Sequence, residues 1–229
     1  MLRSLIHFVI GLLVRLLARV EVIDIDNVPP QGGYILAVNH LSILDPVLIF
    51  VIIQRKDLTA LVAKKHQKNP LFRWIVDSVG GIWLNRDDPD AHAIRASRDY
   101  LQNGNLLGIS PEGTRSPNLG LIPAKTGVAY LADVARIPII PVAITGTHNG
   151  IRRAFTLQRP RLTVRFGKPF RLPPVDRRSR DRDLMCNTDE IMCRIAAMLP
   201  AEYHGVYTDH PKLKELMWEE VVLGIRKVV

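Results

Sequence analysis

Tyr34-Ile35-Leu36-Ala37-Val38-Asn39-His40-Leu41-Ser42-Ile43-Leu44-Asp45-Pro46 carries the chain's fold and its chemistry in one short stretch. Five apolar residues read as a buried strand that delivers His40 to the edge of a sheet. A carboxylate follows five positions later, against a proline. On a regular helix, residues five apart sit about 140° apart around the axis and do not readily meet. They meet if the strand ends at His40 and a turn precedes a helix starting at Pro46. Proline suits a first helical position, and the residue before it is pushed out of the α region, where an N-cap belongs. The spacing therefore predicts strand, turn and helix, with an imidazole held against a carboxylate.

The pair alone is weak evidence. With 7 His and 15 Asp in 229 residues, chance supplies about half a His-x4-Asp match. A second one, His204 to Asp209, lies in a Gly/Tyr/Pro-rich stretch with no strand feeding it and reads as surface loop. Elsewhere the patterning gives helix 2–18, strand 20–25, strand 34–39, helix 46–54, strand 59–63, helix 67–77 and strand 81–85. Helix 89–103, strand 106–110, helix 124–135, strands 139–144 and 161–166, and helices near 183–199 and 211–223 follow. This alternation implies an α/β fold, a mixed, largely parallel sheet flanked by helices. Ligands on such sheets gather at the carboxyl ends of the strands. His40, Arg86 and Glu112 to Arg115 all follow expected strands, so one rim can hold them.

Three further segments come in fixed order: Lys64-Lys65 before an apolar stretch ending in Gly80-Gly81-Ile82-Trp83-Leu84-Asn85-Arg86; Ser110-Pro111-Glu112-Gly113-Thr114-Arg115-Ser116; and Ile137-Pro138-Ile139-Ile140-Pro141-Val142. Together with NHxxxxD at 39–45, PEGTRS and IPIIPV resemble the blocks of the glycerolipid acyltransferases, most closely the 1-acyl-glycerol-3-phosphate acyltransferases. The resemblance runs from about Asn39 to Gly146. It implies an α/β domain with an amino-terminal membrane-binding helical part. It also implies direct acyl transfer from a thioester without a covalent intermediate, with His40 as general base, Asp45 as its orienting partner and Arg115 as a phosphate contact. Two positions depart from the family's pattern. Ser110 stands where an aromatic residue is common, and Leu84-Asn85-Arg86 lacks the acid that often precedes the Arg.

The residues support these roles on their own chemistry. An attacking hydroxyl must lose its proton, and imidazole titrates near neutrality. A carboxylate on the other ring nitrogen fixes the tautomer and steadies the imidazolium. Ser42 invites a Ser-His-Asp hydrolase reading, but no Gly-x-Ser-x-Gly elbow surrounds it, and a Ser before a helix usually serves capping. An acceptor phosphate needs guanidinium forks and backbone N–H groups. Arg115, Gly113 and Thr114 are the first candidates, with Arg86, Lys64 and Lys65 completing a basic site. Glu112 belongs to the same segment and orients Arg115 or a loop amide, because a carboxylate beside phosphate would repel it. Lys125-Thr126-Gly127 resembles the family's Lys-x-Gly pattern at the start of the next helix.

The chain is long enough for one domain that buries most of its apolar surface without staples. Its formal charge of +9 favours an anionic partner. Between Arg152 and Arg182 there are 11 Arg or Lys against only Asp176 and Asp181. That run is either a solvated face or a contact surface; no nucleic-acid motif accompanies it. Cys186 and Cys193, seven residues apart on an expected helix, lie about 10.5 Å apart along its axis, too far for a disulfide. Both read as core-facing thiols in a reducing compartment, and no Cys/His cluster has zinc spacing. Neither a metal nor a cofactor is expected.

Met1 to Val20 is mostly Leu, Ile and Val, open to three readings: signal peptide, membrane span or interfacial helix. Arg3, His7, Gly11, Arg15 and Arg19 recur every four positions and form a polar stripe about 160° wide on a helix. Charges at 3, 15 and 19 argue against a span, and no small-residue cleavage site follows. An amphipathic helix in the headgroup plane fits, Arg toward phosphates and Leu toward acyl chains; core packing is the competing reading. The expected organisation is a membrane-association helix at 1–20 and an acyltransferase domain at 21–229, peripheral on the cytoplasmic face of a membrane. Partners implied are acyl-CoA or acyl-carrier protein as donor, lysophosphatidate as acceptor and an anionic membrane surface. The same chemistry on another lysolipid, amino- or glycolipid remains open, as does a non-catalytic membrane binder of the same fold.

Overall fold

Alternate residues of the central strand point to opposite faces, and both faces are buried. In the computed structural model, which describes residues 2–85 and 90–222, Ile35 and Ala37 enter one apolar core with Leu107, Ala129, Leu131 and Ile191. Leu36 and Val38 enter a second core with Leu48, Ile49, Val142 and Phe166. A strand apolar on every position is stable only between two helical layers.

Seven strands form the sheet: β1 (Arg19–Ile23), β2 (Tyr34–Val38), β3 (Leu58–Ala63), β4 (Ile82–Leu84), β5 (Leu106–Ile109), β6 (Ile139–Thr145) and β7 (Arg161–Phe166). Their order is β1-β7-β6-β2-β5-β3-β4. Within it β6 and β7 pair antiparallel and the other neighbours run parallel. The expected mixed, largely parallel sheet flanked by helices is therefore what forms. The helices are α1 (Leu2–Leu17), α2 (Leu44–Ile52), α3 (Pro70–Ser78), α4 (Ala91–Gln102), α5 (Gly127–Ala135), α6 (Gly150–Phe155), α7 (Arg180–Ala197) and α8 (Pro211–Val222). Helix α6 was not expected; six residues are too few for a periodic pattern.

Helix α1 is amphipathic, with its leucines outward and the first half of its polar stripe turned toward the protein rather than outward. Arg3 donates to the carbonyl oxygen of Val79 at 2.9 Å and to that of Leu58, and its guanidinium lies 5.5 Å from the Phe50 ring. His7 meets the same ring edge-on, and Gly11 lets α1 lie close to Val51. The first half of the polar stripe thus docks on the protein, where two backbone carbonyls and an aromatic face receive the Arg3 guanidinium. Arg15 stays exposed, and Arg19 belongs to β1 rather than to the helix. Facing outward are Leu5, Phe8, Val9, Leu12, Leu13 and Leu16, each at least 46% exposed. No helix among the described residues is long and apolar enough to cross a membrane.

Two other expectations change. Cys193 is buried, but Cys186 is exposed. Cys193 lies 3.3 Å from His210 Nδ1, just before α8, whereas Cys186 faces solvent two turns earlier. His204 is buried rather than on a surface loop, its Nε2 3.2 Å from the Leu199 carbonyl oxygen. Asp209 points away to Lys214, so this second His-x4-Asp match forms no pair. The surrounding turns carry Tyr203 and Tyr207, both buried, whose apolar rings pull the segment inward.

Candidate active site

Where β2 ends, the chain turns and enters α2, and this junction builds the site. Asn39, fully buried, accepts from Ile144 N at 2.7 Å and donates to Ile144 O at 3.0 Å. Its amide stands in for the strand backbone just as β2 leaves the β2–β6 ladder at Val38. His40 is then clamped on both sides of its own backbone. Its N–H donates to Glu112 Oε1 at 2.8 Å, and its carbonyl accepts from Ser116 N at 2.8 Å.

The imidazole and carboxylate do meet: His40 Nδ1 lies 2.9 Å from Asp45 Oδ2. The same oxygen accepts from Leu41 N and Ser42 N, both at 2.7 Å. Oδ1 accepts from Thr147 Oγ1 at 2.6 Å. With Nδ1–H committed to a carboxylate, Nε2 is left as an acceptor. The His40 side chain is 23% exposed against 2% for Asp45, so the imidazole reaches solvent while the carboxylate does not. Helix α2 starts at Leu44 rather than Pro46, with Asp45 inside the first turn and Ile43, not Asp45, as the N-cap. From the first turn Asp45 reaches back to the N–H groups of residues 41 and 42, which precede the helix, and so closes the loop rather than capping α2. Pro46 still sits in the first turn, where a missing N–H costs nothing.

Ser42 is buried, and its Oγ accepts from Leu44 N at 3.3 Å. No hydrogen bond joins it to His40 among the described residues. Its surroundings are those of a turn residue, not of a nucleophile.

Beside the dyad lies a cleft of about 210 Å³ lined by Ala63, Lys64, Lys65, Leu84, Asn85, Gly113, Thr114 and Lys125. Lys64 and Lys65 follow β3, Gly113 and Thr114 follow β5, and Asn85 follows β4, so the cleft opens at the carboxyl ends of three parallel strands. Gly113 takes φ +69°, and a Cβ there would lie 3.3 Å from Lys125 Cδ; a glycine turns the loop and lets the lysine stem lie across it. Lys125 itself is pinned through its N–H to Pro111 O at 2.9 Å. Lys64 pairs with Asp90 at 3.1 Å, and that carboxylate also caps α4 through Ala93 N and accepts from Asn85 N.

Other expected site residues lie differently. Arg115 is exposed, one residue past Thr114, and does not line the cleft. Glu112 is not a cleft residue: it is buried, with Oε1 on His40 N and Oε2 on Ile122 N at 3.2 Å. Its role is to tie two loops, because both oxygens are taken by backbone amides. Burial pushes its carboxyl up to about 7 from an ordinary 4.5, against the pull of those two amides. Arg86 lies outside the described residues. Sequence reasoning missed Asn39 and Thr147 as supports, and gave Lys125 no firm place. Asn39 was signalled by a polar residue at the end of an apolar strand and Lys125 by a lysine two before a helix-starting glycine; Thr147 had no signal along the chain.

Residues 19–145 match the family model described as Acyltransferase. The chain belongs to the acyltransferase family. Among similar curated proteins, the 1-acyl-sn-glycerol-3-phosphate acyltransferase of Streptococcus pneumoniae is 30% identical over 63% of this chain and 53% of its own length. The protein of that name from Cocos nucifera is 34% identical over 58% of this chain and 44% of its own. The one from Haemophilus influenzae is 37% identical over 49% of this chain and 48% of its own. The chain thus spans about half the length of these relatives. The crystal structure of the 1-acyl-sn-glycerophosphate acyltransferase PlsC from Thermotoga maritima matches with a TM-score of 0.60 at 21% identity, covering 82% of this chain and 80% of that one. That likeness is one of fold, a parallel-rich sheet flanked by helices.

Proposed function

We propose that this acyltransferase moves a fatty acyl group from a coenzyme A or acyl-carrier-protein thioester to the sn-2 hydroxyl of 1-acyl-glycerol-3-phosphate, giving phosphatidate. The observation that carries the reading is a lysine-lined cleft whose Gly113 directly follows Glu112, the residue that clamps the His40 backbone. His40 Nε2 takes the hydroxyl proton as the oxygen attacks the thioester carbonyl. Asp45 steadies the imidazolium, and the proton then passes to the departing thiolate. The acceptor's phosphate rests among Lys64, Lys65 and Lys125, with Gly113 and Thr114 bringing backbone and hydroxyl donors close. Arg115, exposed and without an ion pair among the described residues, closes on the phosphate from the outer edge. The names of the relatives support this choice of acceptor.

The acceptor lives in a bilayer, and the outward Leu/Phe face of α1 is suited to the acyl boundary of an anionic membrane. Arg15, Arg152 and Arg153 are exposed and supply cations for headgroups on its cytoplasmic face. The test is a transfer assay with the purified full chain, crossing several labelled thioesters with lysolipid acceptors that carry or lack a phosphate monoester. Lysophosphatidate should be the preferred acceptor. Equal rates with acceptors lacking phosphate refute the assignment.

A further inference from the structure

We infer that Thr147 is a positioning residue of the transfer reaction: its hydroxyl fixes the free oxygen of Asp45 and so sets the angle at which that carboxylate holds His40. The inference rests on the reading of His40 as general base. Every donor to Oδ2 comes from the loop that Asp45 itself closes, namely His40 Nδ1, Leu41 N and Ser42 N. Those donors all move with the loop, so they fix the carboxylate only relative to His40 and its neighbours. Thr147 Oγ1, 2.6 Å from Oδ1, is the side-chain contact that ties the carboxylate to a different part of the fold, the turn just after β6. Carboxylate oxygen only accepts, so the hydroxyl donates. Thr147 is fully buried and Asp45 nearly so, which leaves an unpaired Oδ1 without water to replace the lost bond.

The placement of Thr147 is built, not incidental. Asn39 and Thr147 bind the two ends of the His40–Asp45 loop to one strand end, Asn39 through Ile144 and Asp45 through Thr147. Between Ile144 and Thr147 the chain turns at Gly146, φ +82°, where a Cβ would fall 2.2 Å from the Arg161 carbonyl oxygen. No other residue makes that turn at this spacing. Tyr203 Oη accepts from Gly146 N at 3.3 Å and holds the turn from behind. The charge that Asp45 answers develops on the imidazole only as the hydroxyl is deprotonated, so the contact acts on the chemical step and not on substrate binding.

The experiment compares Thr147→Val and Thr147→Ser in the full chain. Thr147→Val keeps the shape and removes the donor; kcat should fall about 10- to 100-fold while KM for donor and acceptor stays within about twofold. Thr147→Ser restores the hydroxyl and should return kcat to within about threefold of the parent. The downfield proton resonance of His40 Nδ1–H should move in Thr147→Val and return in Thr147→Ser, which a residue of merely structural importance does not produce. Thr147→Ala serves if Thr147→Val does not fold, since it removes the hydroxyl without placing a methyl group beside the carboxylate. A folded hydroxyl-free variant with parental kcat and resonance overturns the proposal, as does a loss confined to KM, or a Ser variant as impaired as Val. If the parent transfers no acyl group for any donor and acceptor, the reading of the reaction falls, and the resonance still decides Thr147.

Discussion

Replacing Glu112 with Gln tests a cost that the fold accepts to hold its catalytic loop. Glu112 lies behind His40 with a carboxyl pushed to about 7 from 4.5, chiefly by burial. Below pH 4.5 it is neutral in folded and unfolded chains alike. Between 4.5 and 7 the folded chain keeps a proton the unfolded chain has released, so stability falls as pH rises. Above 7 the carboxylate is charged in both states, and the contribution is gone. The full span corresponds to roughly 3 kcal/mol, of which about 2.5 kcal/mol is lost between pH 5 and pH 8. Gln fills the same space without titrating, although it cannot accept from both His40 N and Ile122 N, and that constant penalty cancels between the two pH values. Urea unfolding of parent and Glu112→Gln, followed by tryptophan fluorescence at several pH values, reads the difference. The parent should lose about 2.5 kcal/mol relative to the variant from pH 5 to pH 8. A gap that stays flat over this range refutes the argument. Catalysis runs the opposite way: only the carboxylate accepts from both amides fully, so the parent's kcat should rise with pH through about 7. The fold is then least stable where its catalytic loop is best held, a trade common at active sites.

Three further outcomes follow from the site and from α1. His40→Ala should lower kcat by about two to four orders of magnitude with folding intact, Asp45→Asn should be strongly impaired, and Ser42→Ala should stay within about tenfold of the parent; acyl group trapped on Ser42 would refute direct transfer. Lys125→Ala should raise the KM for a phosphate-bearing acceptor about 10- to 100-fold, the loss of one charge-assisted contact, while leaving the thioester's KM unchanged. On α1, Phe8→Glu with Leu12→Glu should abolish flotation with phosphatidylglycerol vesicles and leave the thermal midpoint near the parent's. Arg3→Glu should instead lower the midpoint, because Arg3 anchors the helix to Val79 and Leu58; flotation unchanged in the double variant would remove α1 from the membrane contact.

The parts of this molecule that were legible in its sequence are those where one residue's neighbours along the chain decide its role. The continuous apolar run 34–38 had to be a strand covered on both sides, and a His and an Asp straddling its exit had to share one turn. Glycine at 113 marked a turn that the fold sets among Lys64, Lys65 and Lys125. What stayed hidden were partners chosen in three dimensions. Glu112 binds amides of residues 40 and 122, Thr147 reaches Asp45 across 102 positions, and Tyr203 holds the Gly146 turn. No spacing rule finds such contacts, because each is fixed by which strands lie side by side.

Helix α1 shows how a correct pattern can leave a partner undecided. Its period of polar residues is real, but the pattern alone assigns the whole arginine stripe to phosphates, and the protein itself takes Arg3. The fold offers two carbonyl oxygens and an aromatic ring placed to receive one guanidinium. Docked by its polar stripe, the helix must leave its leucines outside, and large apolar side chains on an outer face carry a cost in water that a membrane removes. Removing residues 1–19 would therefore not detach a free anchor. It would take away the cover of α2, the buried Ala18 and the first residue of β1. Substitutions confined to the outward face separate membrane contact from folding where the truncation cannot.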